Sequence, residues 1–141
     1  MFTYNYPRAA VTVDAILISN RNSVLLIERG RDPFKGKWAL PGGFIDMDEE
    51  LEMACRRELK EETGLRVGEL KQFRAYGGVN RDPRHRTISV LFYAFTEDEL
   101  VACASDDAAK AQWFPLNQLP ELAFDHRHIL EEFKATILTQ C

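Results

Sequence analysis

The most constraining feature of the sequence is residues 49–62, because their pattern predicts a helix whose apolar stripe carries acidic side chains. The segment lacks Gly and Pro, is rich in Glu, Leu, Ala, Lys and Arg, and precedes Gly64, as is typical of a helix and its end. At about 100° per residue, one stripe holds the apolar residues Leu51, Ala54, Cys55 and Leu59. Glu58 and Glu62 lie within that stripe, and Glu61 lies at its border. Such buried charges are costly unless they are paired or bound to a metal.

A divalent metal ion would remove this cost. Three carboxylates at positions i, i+3 and i+4 project to one side of a helix, and Mg²⁺ or Mn²⁺ prefers hard oxygen ligands. We therefore predict a Mg²⁺ or Mn²⁺ site at Glu58, Glu61 and Glu62. Arg57 adjoins this face, and we expect it to pair with Glu49 or Glu61. The usual interpretation of a Glu-rich helix, a solvated face, is disfavoured because two glutamates lie where the helix should meet a sheet.

Length, charge and cysteine content exclude several classes of protein. The 141 residues predict a single domain over 1–141, which is long enough to bury a core. The net charge of −4 argues against a nucleic-acid coat, and no apolar run is long enough for a membrane span. The first residues lack the pattern of a secretion signal. Three cysteines without metal spacing indicate reduced thiols in a cytoplasmic protein, with Cys55 as a buried thiol.

The order of the remaining elements predicts the fold class. Polar residues 20–23 separate two apolar runs and indicate a hairpin, and we expect residues 29–37 to form a loop. Strands are predicted at residues 10–19, 24–27, 38–40, 69–77, 86–96 and 111–115, and a second helix at about 126–139. Strands interrupted by two helices favour a mixed α/β (α+β) sandwich over a doubly wound parallel sheet.

The region of the glutamates also matches a known motif. Five residues lead from Gly43 to Glu49, and seven more lead to Arg57-Glu58-Leu59-Lys60-Glu61-Glu62-Thr63-Gly64-Leu65. Residues 43–65 thus resemble the Nudix box, Gly-x5-Glu-x7-Arg-Glu-apolar-x-Glu-Glu-x-Gly-apolar, with every specified position filled. The resemblance implies an α/β/α sandwich around a mixed sheet. It also implies hydrolysis of a nucleoside diphosphate linked to another group.

The resemblance assigns roles to individual residues. It implies metal binding by three glutamates and one backbone carbonyl: Glu58, Glu61, Glu62 and the C=O of Gly42. It gives Glu49 and Arg57 supporting roles through an ion pair. Divalent cations in such a site clamp pyrophosphate oxygens and lower the pKa of a bound water, and a carboxylate then takes the proton of that water.

The identity of that base is left open by the sequence. A box glutamate is one candidate. Asp106 and Asp107, within Ser105-Asp106-Asp107-Ala108, are the others, because the family also uses an acid from a later loop. These aspartates could equally form only a turn.

Segments outside the box bear on the substrate. Residues 80–87 contain Arg81, Arg84 and Arg86, whose guanidinium groups suit phosphate oxygens, although a solvated basic loop is the alternative. Candidates for stacking a base are Phe34, Tyr76 and Phe124, which could instead serve ordinary packing. His126 either begins the last helix or faces the pocket, and a single His outside a cluster is more often structural.

The segments around these residues resemble short-chain ADP-ribose pyrophosphatases, which implies conversion of ADP-ribose to AMP and ribose 5-phosphate. Two alternatives stay open. One is a house-cleaning pyrophosphatase of oxidised nucleotides such as 8-oxo-dGTP, and the other is a non-enzymatic sensor of an ADP-ribose-type ligand. Intact box glutamates, and a chain without room for an added DNA-binding domain, favour the enzyme. We expect a small-molecule nucleotide substrate, no nucleic-acid or membrane partner, and a homodimer, as in relatives.

Overall fold

The computed structural model describes residues 2–100, 102 and 108–140, and their strands form one mixed sheet of seven strands. The strands are β1 (Ala10–Ser19), β2 (Ser23–Arg29), β3 (Trp38–Ala39), β4 (Gly42–Phe44), β5 (Lys71–Tyr76), β6 (Thr87–Thr96) and β7 (Ala108–Pro115). The helices are α1 (Leu51–Thr63) and α2 (His126–Thr136), and a single 3₁₀ turn, Leu138–Gln140, follows α2. The mixed α/β class predicted from the sequence is confirmed.

Alternation along β1 explains why the sheet has a helix on each face. In a strand, successive side chains point to opposite faces. Val13, Ala15 and Leu17 belong to a buried cluster that includes Ala54, Cys55 and Leu59 of α1. Ile16 and Ile18 belong to a second cluster that includes Ile129, Leu130 and Phe133 of α2. The sheet is therefore the middle layer of an α/β/α sandwich, and Cys55 is a buried free thiol, as predicted.

The sheet divides beside β1. The main path runs β3-β2-β1-β6-β5, while β4 pairs with β1 and β7 pairs with β2. Strands β1 and β2 are paired only near their hairpin turn, at Ile18 and Val24. Further along, β1 pairs with β4 through residues 12–14, and β2 pairs with β3 through residues 27–28. The two strands thus separate, and the gap between them is the position of the cleft described below.

The structure corrects two predicted boundaries and adds one strand. Helix α1 begins at Leu51, so Glu49 lies outside it. The side chain of Glu49 accepts a hydrogen bond from the Asp46 N–H, and this contact forms a turn just before the helix. Arg29 closes β2, so the predicted loop starts at Gly30. Strand β4 was not predicted, because glycines disfavour strands and only pairing with β1 makes this segment extended.

The end of α1 follows the prediction. Gly64 adopts the left-handed conformation, with φ of 75°, and its N–H donates to the carbonyl of Lys60. Glycine adopts this conformation without steric cost. In the part of the chain that the structure describes, no helix has the length and apolar character needed to cross a membrane.

Candidate active site

A cleft of about 340 Å³ opens where β1 and β2 separate. One group of lining residues comes from β4 and α1, and we call it the box wall: Gly42, Gly43, Arg57, Glu58 and Glu62. A second group comes from the β5–β6 loop, the loop before α2 and the first residue of α2, and we call it the loop wall: Arg81, Asp82, Arg84, Phe124 and His126. The sheet contributes Thr12, Asp14, Arg29 and Ser89. Acidic, basic and aromatic side chains thus share one cavity.

Arg57 is the centre of the box wall. Its guanidinium donates to Glu49 at 2.6 Å, to Glu58 at 2.9 Å and to Glu61 at 3.2 Å. It also donates to the carbonyl of Phe44 at 3.2 Å. The predicted pairing of Arg57 with Glu49 or Glu61 is confirmed, because both pairs form. The hydrogen bond from Arg57 lowers the pKa of Glu49, and the bond to Glu49 raises the pKa of Arg57.

Two box glutamates are substantially removed from solvent. Glu62 accepts a hydrogen bond from the Gly42 N–H at 2.6 Å, yet burial raises the pKa of this carboxyl to about 8. Burial also raises the pKa of Glu58, against the opposing effect of Arg57. A Cβ atom on Gly43 would lie 2.7 Å from the Glu58 carboxylate, so the glycine at the start of the box makes room for this group.

Asp14 is a site residue that sequence reasoning missed. It is only 6% exposed, and burial raises its pKa to about 7, although Arg81 opposes the shift. A Cβ atom on Gly42 would clash with the Asp14 carboxylate and the Val13 carbonyl. A signal was present in the sequence, because an aspartate interrupts the apolar run of residues 10–19, and a charge inside a buried strand requires a reason.

The carboxylates that line the cleft suit a divalent cation. Asp14, Glu58 and Glu62 line one cavity, and burial raises the pKa of each, which is the situation that a bound cation relieves. Within residues 2–100, 102 and 108–140, no three His, Cys, Asp or Glu side chains are already grouped as metal ligands. The box glutamates have other partners, namely Arg57 and the Gly42 N–H.

Arg81 and Arg84 of the loop wall are each held by an aspartate. Arg81 is 7% exposed in its side chain and donates to both carboxylate oxygens of Asp125, at 2.8 and 2.9 Å. It also donates to the Ser89 hydroxyl at 2.8 Å. Arg84 pairs with both oxygens of Asp82. Burial alone would raise the pKa of Asp82, but hydrogen bonds from Arg84 lower this pKa to about 2.

Aromatic rings lie beside these cations at the loop wall. The Arg84 guanidinium is 5.0 Å from the centroid of the Phe44 ring and 5.4 Å from that of Phe124. The Arg29 guanidinium is also 5.0 Å from the Phe124 centroid. These distances are within the range of cation–π contacts. The cleft therefore offers flat surfaces as well as positive charge.

The structure brings only some of the predicted substrate residues together. Arg81, Arg84 and Phe124 line the cleft, and Phe34 packs against Phe124 with ring centroids 4.8 Å apart. Three other predicted site residues, Glu49, Glu61 and Phe34 itself, are not among the lining residues. The first two are joined to the box wall through Arg57.

Tyr76 and Arg86 are placed away from the cleft. The Tyr76 hydroxyl donates to Glu132 at 2.6 Å and its ring belongs to the core beneath α2. Arg86 donates to the carbonyls of Gly77 and Gly78. Because neither lines the cavity, we leave both out of the proposed substrate site. Asp106 and Asp107 lie outside the described residues.

His126 both begins α2 and lines the cleft. The sequence offered the helix start and the pocket as alternatives, and the structure shows both. Its Nδ1 accepts a hydrogen bond from the Leu40 N–H at 3.0 Å. Burial lowers the pKa of the imidazole to about 4.

Comparisons with known proteins agree with this geometry. A NUDIX domain model matches residues 8–133. An ADP-ribose pyrophosphatase of Methanocaldococcus jannaschii is 46% identical over 129 residues, which are 91% of this chain and 75% of the relative. An ADPR-responsive transcriptional repressor, NtrR of Acinetobacter baylyi, is 35% identical over 91% of this chain and 54% of the repressor.

Solved structures give the same result. The NUDIX domain of Shewanella oneidensis NrtR, in complex with ADP ribose, superposes with a TM-score of 0.87 at 31% identity, over 94% of this chain and 90% of that one. A bifunctional NMN adenylyltransferase/ADP ribose pyrophosphatase of Francisella tularensis, with AMP and a Mn ion, gives 0.82 at 28% identity, over 94% of this chain and 43% of that one. With its complete box and a domain match across nearly its whole length, the chain belongs to the Nudix family.

Proposed function

We propose that this Nudix pyrophosphohydrolase cleaves the diphosphate of ADP-ribose, releasing AMP and ribose 5-phosphate. The observation that carries the proposal is the content of this cleft, where buried carboxylates, five arginines and aromatic rings line one cavity. Carboxylates suit a metal-assisted attack on phosphorus, arginines suit the anionic diphosphate, and the rings suit a nucleobase. The 46% identity to an ADP-ribose pyrophosphatase supports this choice of substrate.

Residues of the loop wall, with neighbouring residues of β2, β4 and the β2–β3 loop, would bind and orient the substrate. Arg84 and Arg29 would approach the diphosphate, because each lines the cleft beside Phe124. Arg81 already donates two hydrogen bonds to Asp125. It would therefore act on the substrate mainly through its positive charge, which is fixed in the cavity wall. Phe124 and Phe44 would stack on the base, and Phe34 would support Phe124.

The residues of the box wall, together with the adjoining Glu61, would hold a divalent cation, Mg²⁺ or Mn²⁺. Glu58, Glu61, Glu62 and the carbonyl of Gly42 are the ligands that we propose, with Asp14 facing the same cavity. Arg57 would release Glu58 and Glu61 toward the cation while retaining Glu49. When bound, the cation supplies charge neutralisation at the diphosphate and a more acidic bound water. The base that accepts the proton of that water is a box glutamate or one of Asp106 and Asp107.

A substrate panel tests the proposal. With Mg²⁺ present, kcat/KM for ADP-ribose should exceed that for 8-oxo-dGTP by at least about tenfold. A reversed ratio would assign the chain to the house-cleaning pyrophosphatases. Omission of the metal, or addition of a chelator, should abolish turnover.

A ligand sensor is the second candidate, and one observation favours it. The NUDIX domain of Shewanella oneidensis NrtR was solved with ADP ribose and superposes closely on this chain. Tight binding of ADP-ribose without hydrolysis of any nucleotide in the panel would support the sensor. Homodimerisation and a cytoplasmic location stay predictions from the sequence.

A further inference from the structure

His126 presents a hydrogen-bond donor to the cleft. The side chain is almost fully buried, at 4% exposed, and its Nδ1 accepts the Leu40 N–H. A ring nitrogen that accepts a hydrogen bond carries a lone pair, so the proton of the neutral imidazole is on Nε2. No residue in the described ranges 2–100, 102 and 108–140 accepts a hydrogen bond from Nε2, and the ring lines the cavity.

The imidazole is neutral at physiological pH. Burial lowers its pKa to about 4, although Asp125 opposes the shift and Arg81 adds to it. His126 is therefore a donor without a positive charge. A neutral donor can lie beside a divalent cation without the repulsion that an arginine would experience there.

The backbone places His126 close to the box wall. The N–H of Leu40 donates to His126, and the N–H of Gly42 donates to Glu62. These two donors are two residues apart on one short segment, and two residues span at most about 7 Å. The imidazole and the Glu62 carboxylate therefore flank the same stretch of backbone, although His126 and Glu62 are far apart in the sequence.

We propose that the Nε2–H of His126 donates a hydrogen bond to a non-bridging oxygen of the substrate's diphosphate. The inference rests on the proposed function, because that function brings a diphosphate to the carboxylates beside His126. It adds a substrate-binding residue that lies outside the box and comes from the start of α2.

Two substitutions distinguish donation by Nε2 to the substrate from the structural role of Nδ1, which accepts the Leu40 N–H. In His126→Asn, the side-chain carbonyl can still accept the Leu40 N–H, but the shorter side chain ends before the position of Nε2. In His126→Gln, an amide nitrogen can reach that position. We expect His126→Asn to lower kcat/KM at least about tenfold, the effect of losing a hydrogen bond to a charged group, while Tm changes little. His126→Gln should recover most of this loss.

Binding without turnover gives an independent measurement. Calorimetry with Mg²⁺ and the methylene-bridged ADP analogue should show about tenfold weaker binding by His126→Asn than by the wild type, and near-normal binding by His126→Gln. Equal binding and equal kcat/KM in a folded His126→Asn variant would overturn the inference and leave His126 with the Leu40 contact alone.

Spectroscopy of the wild type covers the case in which both variants unfold. With ¹⁵N-labelled histidine, the Nε2 resonance of His126 should be that of a protonated nitrogen and should shift when the analogue is added. An unchanged resonance in the presence of bound analogue would overturn the inference. A wild type that binds the analogue but does not hydrolyse ADP-ribose would contradict the proposed function alone, since the contrast between Asn and Gln is still measured by binding.

Discussion

The two walls of the cleft are built over very different distances along the chain. In the box wall, Arg57 reaches Glu49 eight residues away, and Gly42 reaches Glu62 twenty residues away. In the loop wall, Arg81 donates to Asp125, which is 44 residues away, and His126 accepts from Leu40, which is 86 residues away. The first wall is fixed largely by one turn and one helix, whereas the second exists only when the whole sheet has formed. Substitutions in the two walls should therefore fail in different ways.

The largest effect should be on folding, at the loop wall. Arg81→Ala leaves the Asp125 carboxylate without its partner in a largely buried position, where breaking such a pair costs about 3 kcal/mol. Denaturant unfolding measures this loss. Arg86→Ala is the matched control, because Arg86 is an exposed arginine of the same loop that donates to the backbone carbonyls of Gly77 and Gly78, and it should change stability by less than about 0.5 kcal/mol. Equal losses in the two variants would show that the Arg81–Asp125 pair contributes no more to stability than an exposed arginine does.

The next effect should be on chemistry, at the box wall. Glu62→Gln keeps the size of the side chain and an acceptor for the Gly42 N–H but removes the charge. We expect kcat for ADP-ribose to fall at least about a hundredfold, or about 2.7 kcal/mol, without loss of stability, since burial already disfavours the charged carboxyl. Glu52→Gln, an exposed glutamate on the same helix, is the control. A change in kcat below about threefold for Glu62→Gln would reject its metal role.

These distances also explain what the sequence could predict. The glutamates of α1 and the partners of Arg57 follow from helical periodicity and the box, because both depend on contacts within residues 43–65. Asp14 was missed as a site residue, and His126 was left open between the helix start and the pocket, since their proximity to the box depends on the pairing of β1 with β4 and on the contact of α2 with Leu40. Strand β4 was missed for the same reason.

The three arginines of residues 80–87 illustrate the same limit. All three suit a phosphate by composition, yet their partners differ: Arg81 binds Asp125, Arg84 binds Asp82, and Arg86 binds backbone carbonyls. The local sequence does not show that Arg81 differs from its two neighbours, because its partner Asp125 belongs to a loop that is distant in the sequence. The orientation of each depends on the folded sheet.

A smaller effect should come from the glycine that admits Glu58. In Gly43→Ala, the new Cβ would lie 2.7 Å from the Glu58 carboxylate, so the carboxylate must move from its position in the cleft. We expect kcat/KM to fall about tenfold, or about 1.4 kcal/mol, with weaker Mg²⁺ binding by calorimetry. Gly68→Ala is the control, because among the described residues, apart from its two chain neighbours, none has an atom within 4 Å of the Cβ it would add. Unchanged metal binding in Gly43→Ala would show that Glu58 has no fixed place in the site.

The smallest effect should distinguish two arginines that the sequence could not. Arg84 lines the cleft and lies beside Phe44 and Phe124, whereas Arg86 is outside it. Because Arg84 is partly exposed and already paired with Asp82, its net contribution to substrate binding is modest. Arg84→Ala should raise KM for ADP-ribose about fivefold, or about 1 kcal/mol, with kcat little changed, while Arg86→Ala should leave both constants near the wild-type values. Steady-state kinetics of the two variants decide the point. A larger KM effect at Arg86 would mean that the β5–β6 loop rearranges when substrate binds, and that the loop wall of the free protein is not the surface that the diphosphate meets.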